Sequence, residues 1–339
     1  MSTAAGSSTC SRPGCPAAEG GSCLEGHQPI TSCPFYGRET ALISGLSNSA
    51  TPTNWVMFDS GEPLGQHELD ALLRQRHATR VAIIGERDSG KTTLLTSIYG
   101  CFLKGAFAGH EFAESRTIRG FEKRAFLGRV DSGLNQPDTP HTSLSDGLSY
   151  FHLRLRIVGN GRRVDLLLSD RAGEMYRDAR RAPSKLLELT ELFDADWIVI
   201  LLDGARVANP VERTGAFHAV RQMLRALTDT HPQHFSNARV VVVTTKIDLI
   251  NMSQDLLDLV HEFEQNLLAT FGTKTAELSC CRIAARDPTG YLEPAHGVSD
   301  LLQTWTAPII IHRGPRELPH GLKSEFDLLL KRTTGSWQL

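Results

Sequence analysis

The chain has 339 residues, enough for one large domain with extensions or at most two domains. Its hydrophobic content of 40% and charged content of 22% are typical of a globular protein, and its net charge of −2 provides no basic surface for nucleic acid or a membrane. No apolar run approaches the ~20 residues of a membrane span, and the sequence contains no signal peptide pattern. We therefore expect a cytoplasmic protein that binds no nucleic acid.

The first 36 residues form a cysteine-rich segment that is too poor in apolar residues to build a core alone. Zinc prefers four sulfur or nitrogen ligands, and a bound ion would supply the missing folding energy. We predict a zinc ion held by Cys10, Cys15, Cys33 and either Cys23 or His27. The alternative is a disordered tail with reduced thiols. A connector, residues 37–78, follows with a predicted helix over Gln66–His77.

A phosphate-binding loop is predicted between a short β-branched strand and the start of a helix. The loop Gly85–Thr92 fits G-x-x-x-x-G-K-[ST] without a mismatch and follows the strand Arg80–Ile84. Its backbone N–H groups and the helix dipole form a cradle for an anion. Lys91 is expected to reach the β- and γ-phosphates, and the Thr92 hydroxyl to ligate Mg²⁺. The predicted nucleotide contacts are Gly85, Asp88, Ser89, Gly90, Lys91, Thr92 and Thr93.

A second motif predicts a sensor for the terminal phosphate. The apolar strand Asp165–Ser169 ends in the sequence Asp170-Arg171-Ala172-Gly173-Glu174. An aspartate at the carboxyl end of a strand can hold Mg²⁺, usually through water. The backbone N–H of Gly173 can then detect whether a γ-phosphate is present.

A third motif predicts which base is bound. The strand Arg239–Thr244 leads into the sequence Thr245-Lys246-Ile247-Asp248. A carboxylate at Asp248 can accept hydrogen bonds from both N1–H and the 2-amino group of guanine, and adenine offers neither donor. Three motifs in this order predict a guanine nucleotide. An ATPase is the weaker alternative, because no second acid follows Asp170 directly.

These motifs resemble those of the P-loop GTPases of the translation-factor and Ras-like class, over residues 79–312. The resemblance implies an α/β three-layer sandwich, mostly parallel with one antiparallel edge strand, and a nucleotide at the carboxyl ends of the strands. A fifth motif of that class follows its last core strand, predicted here over Leu278–Ile283. Ala284 and Ala285 then stand at a partly matching position, where the Ala285 N–H would meet the guanine O6.

The stretch between the first two motifs is long, since Asp170 lies 79 positions after Lys91 (170 − 91). Within it, His110–Arg124 is predicted as an extended piece followed by a short helix. A polar loop, Asp131–Asp146, is then predicted as switch I, with Thr142 contacting Mg²⁺ and the γ-phosphate and Thr139 as the alternative.

We call the long stretch between the first two motifs the insertion. Two segments indicate a narrower family within the class: Ser115–Phe121 of the insertion and the D-R-A-G-E sequence of the second motif. Both are similar to the bacterial double-GTPase families of conflict and defence systems, whose members often carry an N-terminal cysteine cluster. This resemblance implies a regulatory switch that acts beside other proteins rather than a metabolic enzyme.

Glu174 departs from the class, which places a water-orienting glutamine at this position. A carboxylate facing the γ-phosphate is electrostatically unfavourable, although a suitably oriented or protonated one can act as a base. We therefore expect GTP hydrolysis to be slow, or to need catalytic groups that a partner protein supplies. An arginine of this chain that reaches the γ-phosphate would offset the loss of the glutamine. The alternative is that the arginines after the second motif form a solvated helix face or a partner-binding surface. The candidates are Arg171, Arg177, Arg180 and Arg181.

The sequence therefore predicts a GTP-hydrolysing molecular switch with Lys91, Thr142 and Glu174 in the catalytic roles. The alternative is a GTP-binding scaffold that hydrolyses poorly and acts through its zinc segment and its tail, residues 313–339. Protein partners are expected at the switch regions, the N-terminal segment or the tail.

Overall fold

A computed structural model describes residues 15–19, 21–23, 26–33, 36, 59–126, 147–286, 292–293 and 295–308. The chain divides into two units, Met1–Phe58 and Asp59–Leu339. Several predicted features lie outside the described residues: Cys10, the switch I loop with Thr139 and Thr142, and the C-terminal tail.

A seven-stranded sheet forms the centre of the second unit. Its strands in chain order are β1 (Ala78–Ile84), β2 (His110–Glu114), β3 (Ser149–Ile157), β4 (Arg163–Asp170), β5 (Trp197–Asp203), β6 (Arg239–Thr245) and β7 (Glu277–Arg282). The order across the sheet is β2-β3-β4-β1-β5-β6-β7. From β4 to β7 all neighbours are parallel, so their carboxyl ends share one edge of the sheet, where open α/β sheets bind ligands.

The other side of the sheet is antiparallel. β3 runs antiparallel to β4 and is the antiparallel strand expected for this fold. It is not the edge, because β2 pairs antiparallel with its outer side. The extended piece predicted in the insertion is therefore β2, which adds one strand beyond the expected antiparallel one.

Helices cover both faces of the sheet. They are α1 (Gln66–Gln75), α2 (Lys91–Leu103), α3 (Ile118–Phe126), α4 (Gly173–Arg181), α5 (Thr190–Phe193), α6 (Gly204–Ala208), α7 (Arg213–Thr230), α8 (Pro232–Phe235), α9 (Gln254–Phe271) and α10 (Val298–Thr306). Successive β1 residues belong to different cores: Val81 and Ile83 pack with α2, α3 and α10, and Ala82 and Ile84 pack with α4, α7 and α9. Among the described residues, no helix is long and apolar enough to cross a membrane.

The helix predicted in the connector packs within the second unit. α1 begins where the Glu68 carboxylate accepts a hydrogen bond from the Gly65 N–H at 2.7 Å, which satisfies a backbone donor at the helix start. Its buried side chains join Tyr150 of β3 and Leu167 of β4 in a small apolar cluster. The connector helix is thus part of the packing around the sheet.

The described part of the first unit contains two short 3₁₀ turns, Pro16–Glu19 and Ile30–Ser32. Cys15 and Cys33 are buried, and Cys23 packs partly buried against the Cys15 cluster. No three or more histidine, cysteine or acidic side chains in the described part of the chain are grouped to hold a metal. Zinc binding at the N-terminus therefore stays a prediction.

Candidate nucleotide-binding site

The predicted phosphate loop joins the buried end of β1 to the start of α2, at the carboxyl edge of the parallel strands. Gly90 precedes α2 with φ of 91°, in the left-handed region that favours glycine. The loop folds back on itself, because the Ser89 N–H donates to the Glu86 carbonyl at 3.2 Å. The first N–H groups of α2 have no carbonyl partner within the helix, which makes this end suited to an anion.

Lys91 is the first residue of α2 and is almost fully buried, with 7% of its side chain exposed. Its Nζ donates to the Arg171 carbonyl and lies 3.7 Å from Oδ1 of the fully buried Asp170. Burial lowers the pKa of Lys91, and the charges of Asp170 and then Glu174 act in the opposite direction. The structure thus brings together the predicted phosphate lysine and the predicted Mg²⁺ aspartate. Thr92, the next residue of α2, is half-buried.

The same carboxylate has a second cationic partner that the sequence analysis did not identify. Arg124, near the end of α3, places Nη2 3.0 Å from Oδ2 of Asp170. Its guanidinium also lies over the ring of Phe151 on β3, 4.7 Å from the centroid. Arg124 belongs to none of the three motifs, and 46 positions separate it from Asp170 (170 − 124), so only the fold brings the two together.

Gly173 packs tightly against the phosphate loop. A β-carbon at this position would lie 2.6 Å from the backbone nitrogen of Arg87 and 2.8 Å from the carbonyl oxygen of Gly85. Contacts this short exclude any other residue without movement of backbone. The start of α4, with Gly173 and the half-buried Glu174, therefore lies directly beside the loop.

The predicted base-reading motif is joined to the phosphate loop by side chains. Lys246 Nζ donates to the Asp88 carbonyl at 2.6 Å and lies 3.0 Å from Oδ1 of Asp203. The Thr245 hydroxyl donates to the Ser89 carbonyl at 2.8 Å. These contacts fix the spacing between the phosphate end and the base end of the site.

Asp248 lies in the 3₁₀ turn Ile247–Leu249, which follows β6 directly. The Ile247 N–H donates to the carbonyl of Ile283 at 3.1 Å, which attaches this turn to the chain after β7. The Ala285 carbonyl accepts a hydrogen bond from Ser97 Oγ of α2 at 3.0 Å, and Ala284 is buried. The segment matched to the fifth motif therefore contacts both the base-reading turn and the helix that follows the phosphate loop.

The arginines considered as catalytic groups have other roles in this conformation. Arg171 makes a two-pronged ion pair with the buried Glu191, at 2.8 and 2.9 Å. The Tyr176 hydroxyl donates to the same carboxylate at 3.0 Å, and burial followed by the Glu191 charge raises the pKa of Tyr176. Arg180 pairs with Glu86 at 2.6 Å. The other two, Arg177 and Arg181, are exposed on α4.

Comparison with solved structures found distant similarities. The GTPase-like domain of S. cerevisiae Ski7, bound to GDP and inorganic phosphate, has a TM-score of 0.45 at 13% identity, over 70% of this chain and 52% of that one. The signal recognition particle receptor SRb-GTP/SRX complex of Chaetomium thermophilum has 0.40 at 14%, over 68% and 100%. Methanosarcina barkeri Roco2, bound to GDP, has 0.33 at 14%, over 68% and 49%. The chain thus spans about half the length of the yeast and archaeal chains.

Comparison with curated proteins found no match. A model of the Double-GTPase 2 family, in contrast, matches residues 79–306. The matched range begins in β1 and ends with α10, so it contains the phosphate loop, Asp170 and Asp248. The chain therefore belongs to the Double-GTPase 2 family, and its sheet and surrounding helices form a P-loop GTPase domain.

Proposed function

We propose that this chain is a molecular switch that binds GTP and hydrolyses it to GDP and phosphate. The observation that carries the proposal is the joining of all three motifs at one edge of the sheet. Lys91 meets Asp170 at the phosphate end, and Lys246 ties the base-reading turn to the carbonyl of Asp88. A site with a cationic phosphate cradle and a carboxylate at the base end suits a guanine nucleotide.

The phosphate end also fits a magnesium ion. Mg²⁺ prefers oxygen ligands. The Asp170 carboxylate lies 3.7 Å from Nζ of Lys91, and Thr92 follows Lys91 directly in α2. We propose that Asp170 and Thr92 hold the ion, with Thr142 as a third ligand from switch I. A bound Mg²⁺ would neutralise charge on the β- and γ-phosphates. Lys91 would hold the same phosphates from within the loop.

The base assignment is tested with Asp248→Asn. An amide can donate a hydrogen bond where the carboxylate only accepts, so the variant should lose GTP affinity by about 100-fold or more and gain affinity for xanthosine triphosphate. Competition binding with GTP, xanthosine triphosphate and ATP measures both changes. Asp255→Asn, on the exposed start of α9, is the matched control. A wild-type preference for ATP, or an unchanged preference in Asp248→Asn, would contradict the proposal.

A second candidate is a GTP-binding scaffold that hydrolyses poorly, and Glu174 is the observation that favours it. Its negative charge lies close enough to Lys91 to act on the pKa of that amine, which would reach the terminal phosphate. A base or water-positioning role predicts that Glu174→Ala lowers hydrolysis and leaves GTP affinity nearly intact. Simple repulsion predicts tighter GTP binding with unchanged or faster hydrolysis.

Single-turnover hydrolysis and a separate GTP titration distinguish these outcomes, with the exposed Glu188→Ala as the matched control. If Glu174→Ala keeps both the wild-type rate and the wild-type affinity, Glu174 has no part in the site. Water positioning would then have to come from another group.

We further propose that the switch is regulatory and acts within a multi-protein bacterial conflict or defence system. The family membership supports this context, and the exposed Arg177 and Arg181 on α4 supply a charged surface beside the nucleotide site. Binding of proteins encoded beside it should depend on whether GDP or a non-hydrolysable GTP analogue is loaded. Equal binding in both states would contradict a switch.

A further inference from the structure

The insertion contributes one buried arginine to the site, and this residue differs from its neighbours on the same helix. Arg119 and Lys123 of α3 have 66% and 54% of their side chains exposed and pair with Glu62. Arg124 has only 16% of its side chain exposed and pairs instead with Asp170. The guanidinium therefore reaches into the site instead of lying exposed to solvent on the surface of the helix.

The helix that carries Arg124 is held firmly in place. Phe121 of α3 is fully buried, and its ring stacks on Tyr99 at 5.2 Å and packs on Phe151 at 4.6 Å between centroids. Phe151 also lies under the guanidinium of Arg124, where a cation–π contact orients the side chain. Little conformational entropy remains to be lost when this arginine meets a ligand.

The convergence of two cations on the carboxylate of Asp170 suits a site that binds a phosphate. Two cations, Arg124 at 3.0 Å and Lys91 at 3.7 Å, share one buried carboxylate. A divalent ion at Asp170 would repel both cations and compete for the same oxygens. Arg124 would then need another anion within the reach of its side chain. The phosphate held by Lys91 is the anion that the site itself brings there.

We propose that Arg124 is the arginine that stabilises the γ-phosphoryl group during GTP hydrolysis, supplied in cis by α3. The inference rests on the proposed GTPase function. In this step the water oxygen forms a bond to the γ-phosphorus as the bond from that phosphorus to the β–γ bridging oxygen breaks. Negative charge develops on the bridging oxygen of the leaving GDP, and the guanidinium N–H groups neutralise it. The proton of the water leaves with inorganic phosphate or passes to solvent.

The assignment also follows from how the other arginines are placed. Arg171 is bound to the buried Glu191 at 2.8 Å, and Arg180 is bound to Glu86 of the phosphate loop at 2.6 Å. Arg124 is the one whose partner, Asp170, is itself predicted to bind the ion that accompanies the nucleotide. Nucleotide loading would therefore change the environment of Arg124 directly.

The test compares Arg124→Ala and Arg124→Lys with the control Arg119→Ala on the exposed face of α3. Three quantities are measured on the full chain. They are the rate of single-turnover hydrolysis, the affinities for GTP and GDP, and the affinity of the GDP-bound protein for aluminium fluoride in the presence of Mg²⁺. Aluminium fluoride mimics the phosphoryl group that is being transferred. For Arg124→Ala we expect hydrolysis and aluminium fluoride affinity to fall together by about 10³-fold, while GTP and GDP affinities change by less than about threefold. Arg124→Lys should restore little, because an ammonium lacks the planar fork.

Several outcomes would overturn the inference. Hydrolysis by Arg124→Ala at the wild-type rate would show that the arginine only satisfies Asp170. An equal loss of GDP, GTP and aluminium fluoride affinity would show a structural role. If Arg124→Ala fails to fold, Arg124→Gln, which keeps a donor for Asp170 without the charge, decides by the same criteria. A wild-type chain that does not hydrolyse GTP would instead contradict the proposed function itself.

Discussion

Gly173→Ala adds a single methyl group where the start of α4 packs against the phosphate loop, and the structure predicts that hydrolysis falls as a result. The added β-carbon would lie 2.6 Å from the Arg87 nitrogen, and ordinary contact begins at 3.4 Å, so the start of α4 must retreat by about 0.8 Å. The atoms it meets belong to the loop backbone and cannot rotate away. A displacement of ~1 Å in catalytic groups can cost about 100-fold in rate. We therefore expect hydrolysis to fall by roughly that factor.

The assay is single-turnover hydrolysis of GTP, with GTP and GDP affinities measured separately. The phosphate loop itself is unchanged in Gly173→Ala, so GDP should bind nearly as in the wild type and the loss should concern the γ-phosphate. Gly100→Ala is the control, because a β-carbon on that α2 residue meets no atom within 4 Å. An alanine there should be neutral or stabilise the helix by up to about 1 kcal/mol.

A Gly173→Ala protein that hydrolyses GTP at the wild-type rate would refute this reasoning. It would mean that Gly173 does not lie against the loop when the reaction occurs. A parallel loss of GDP affinity would refute it in another way, because the defect would then be in the loop and not in the sensing of the terminal phosphate.

Three further predictions concern other parts of the chain. Lys91→Ala should abolish tight GTP binding, measured by nucleotide titration, and binding within about tenfold of the wild type would contradict its role. About one zinc equivalent per chain is expected by elemental analysis, and equal metal content after removal of residues 1–36 would contradict the predicted site. Burial raises the pKa of Asp165, but the hydrogen bond from His152 and the nearby arginines outweigh this and hold it below 3.8. Its stabilisation is therefore present above pH 3.8 and is lost as the pH falls through the lower folded value, so denaturant unfolding should show Asp165→Asn costing more at pH 7 than at pH 2.

The inner parallel strands β1, β5 and β6 were predictable because they are buried on both faces. Such strands are near-continuous runs of apolar and β-branched residues, as in β5 and β6, and they stand out in any polar sequence. The long helices α7 and α9 were predictable from their amphipathic spacing. The nucleotide motifs were predictable for a related reason, because each depends on residues adjacent in the chain.

β3 was not located in the sequence, although Phe151–Ile157 alternates apolar and polar residues as a half-buried strand does. His152 lies in the middle of this strand and is completely buried, with Nε2 2.9 Å from Asp165 of β4. Its other ring nitrogen accepts a hydrogen bond from the Arg116 N–H at 3.1 Å. A buried histidine is stable here only because partners from two other segments satisfy both nitrogens, and no local pattern contains that information.

The roles of the arginines were likewise decided by tertiary structure. Four arginines near the second motif were equally plausible catalytic groups in the sequence, but Arg171 and Arg180 are occupied by Glu191 and Glu86. Glu86, an unspecified position of the phosphate loop motif, pairs with both Arg180 and Arg206. Ion pairs form between opposite charges that are close in space, and the packing of the helices determines which charges are close.

The sequence by itself determined the class of fold, the three motifs and the order in which they meet the nucleotide, because these depend on local patterns along the chain. Only the tertiary structure decided which side chains share the carboxylate of Asp170. The insertion adds a strand beyond β3 and positions α3 so that Arg124 reaches this carboxylate at 3.0 Å. Contacts between residues far apart in the chain exist only once the sheet and its covering helices have packed. The contact between Arg124 and Asp170 is one of them.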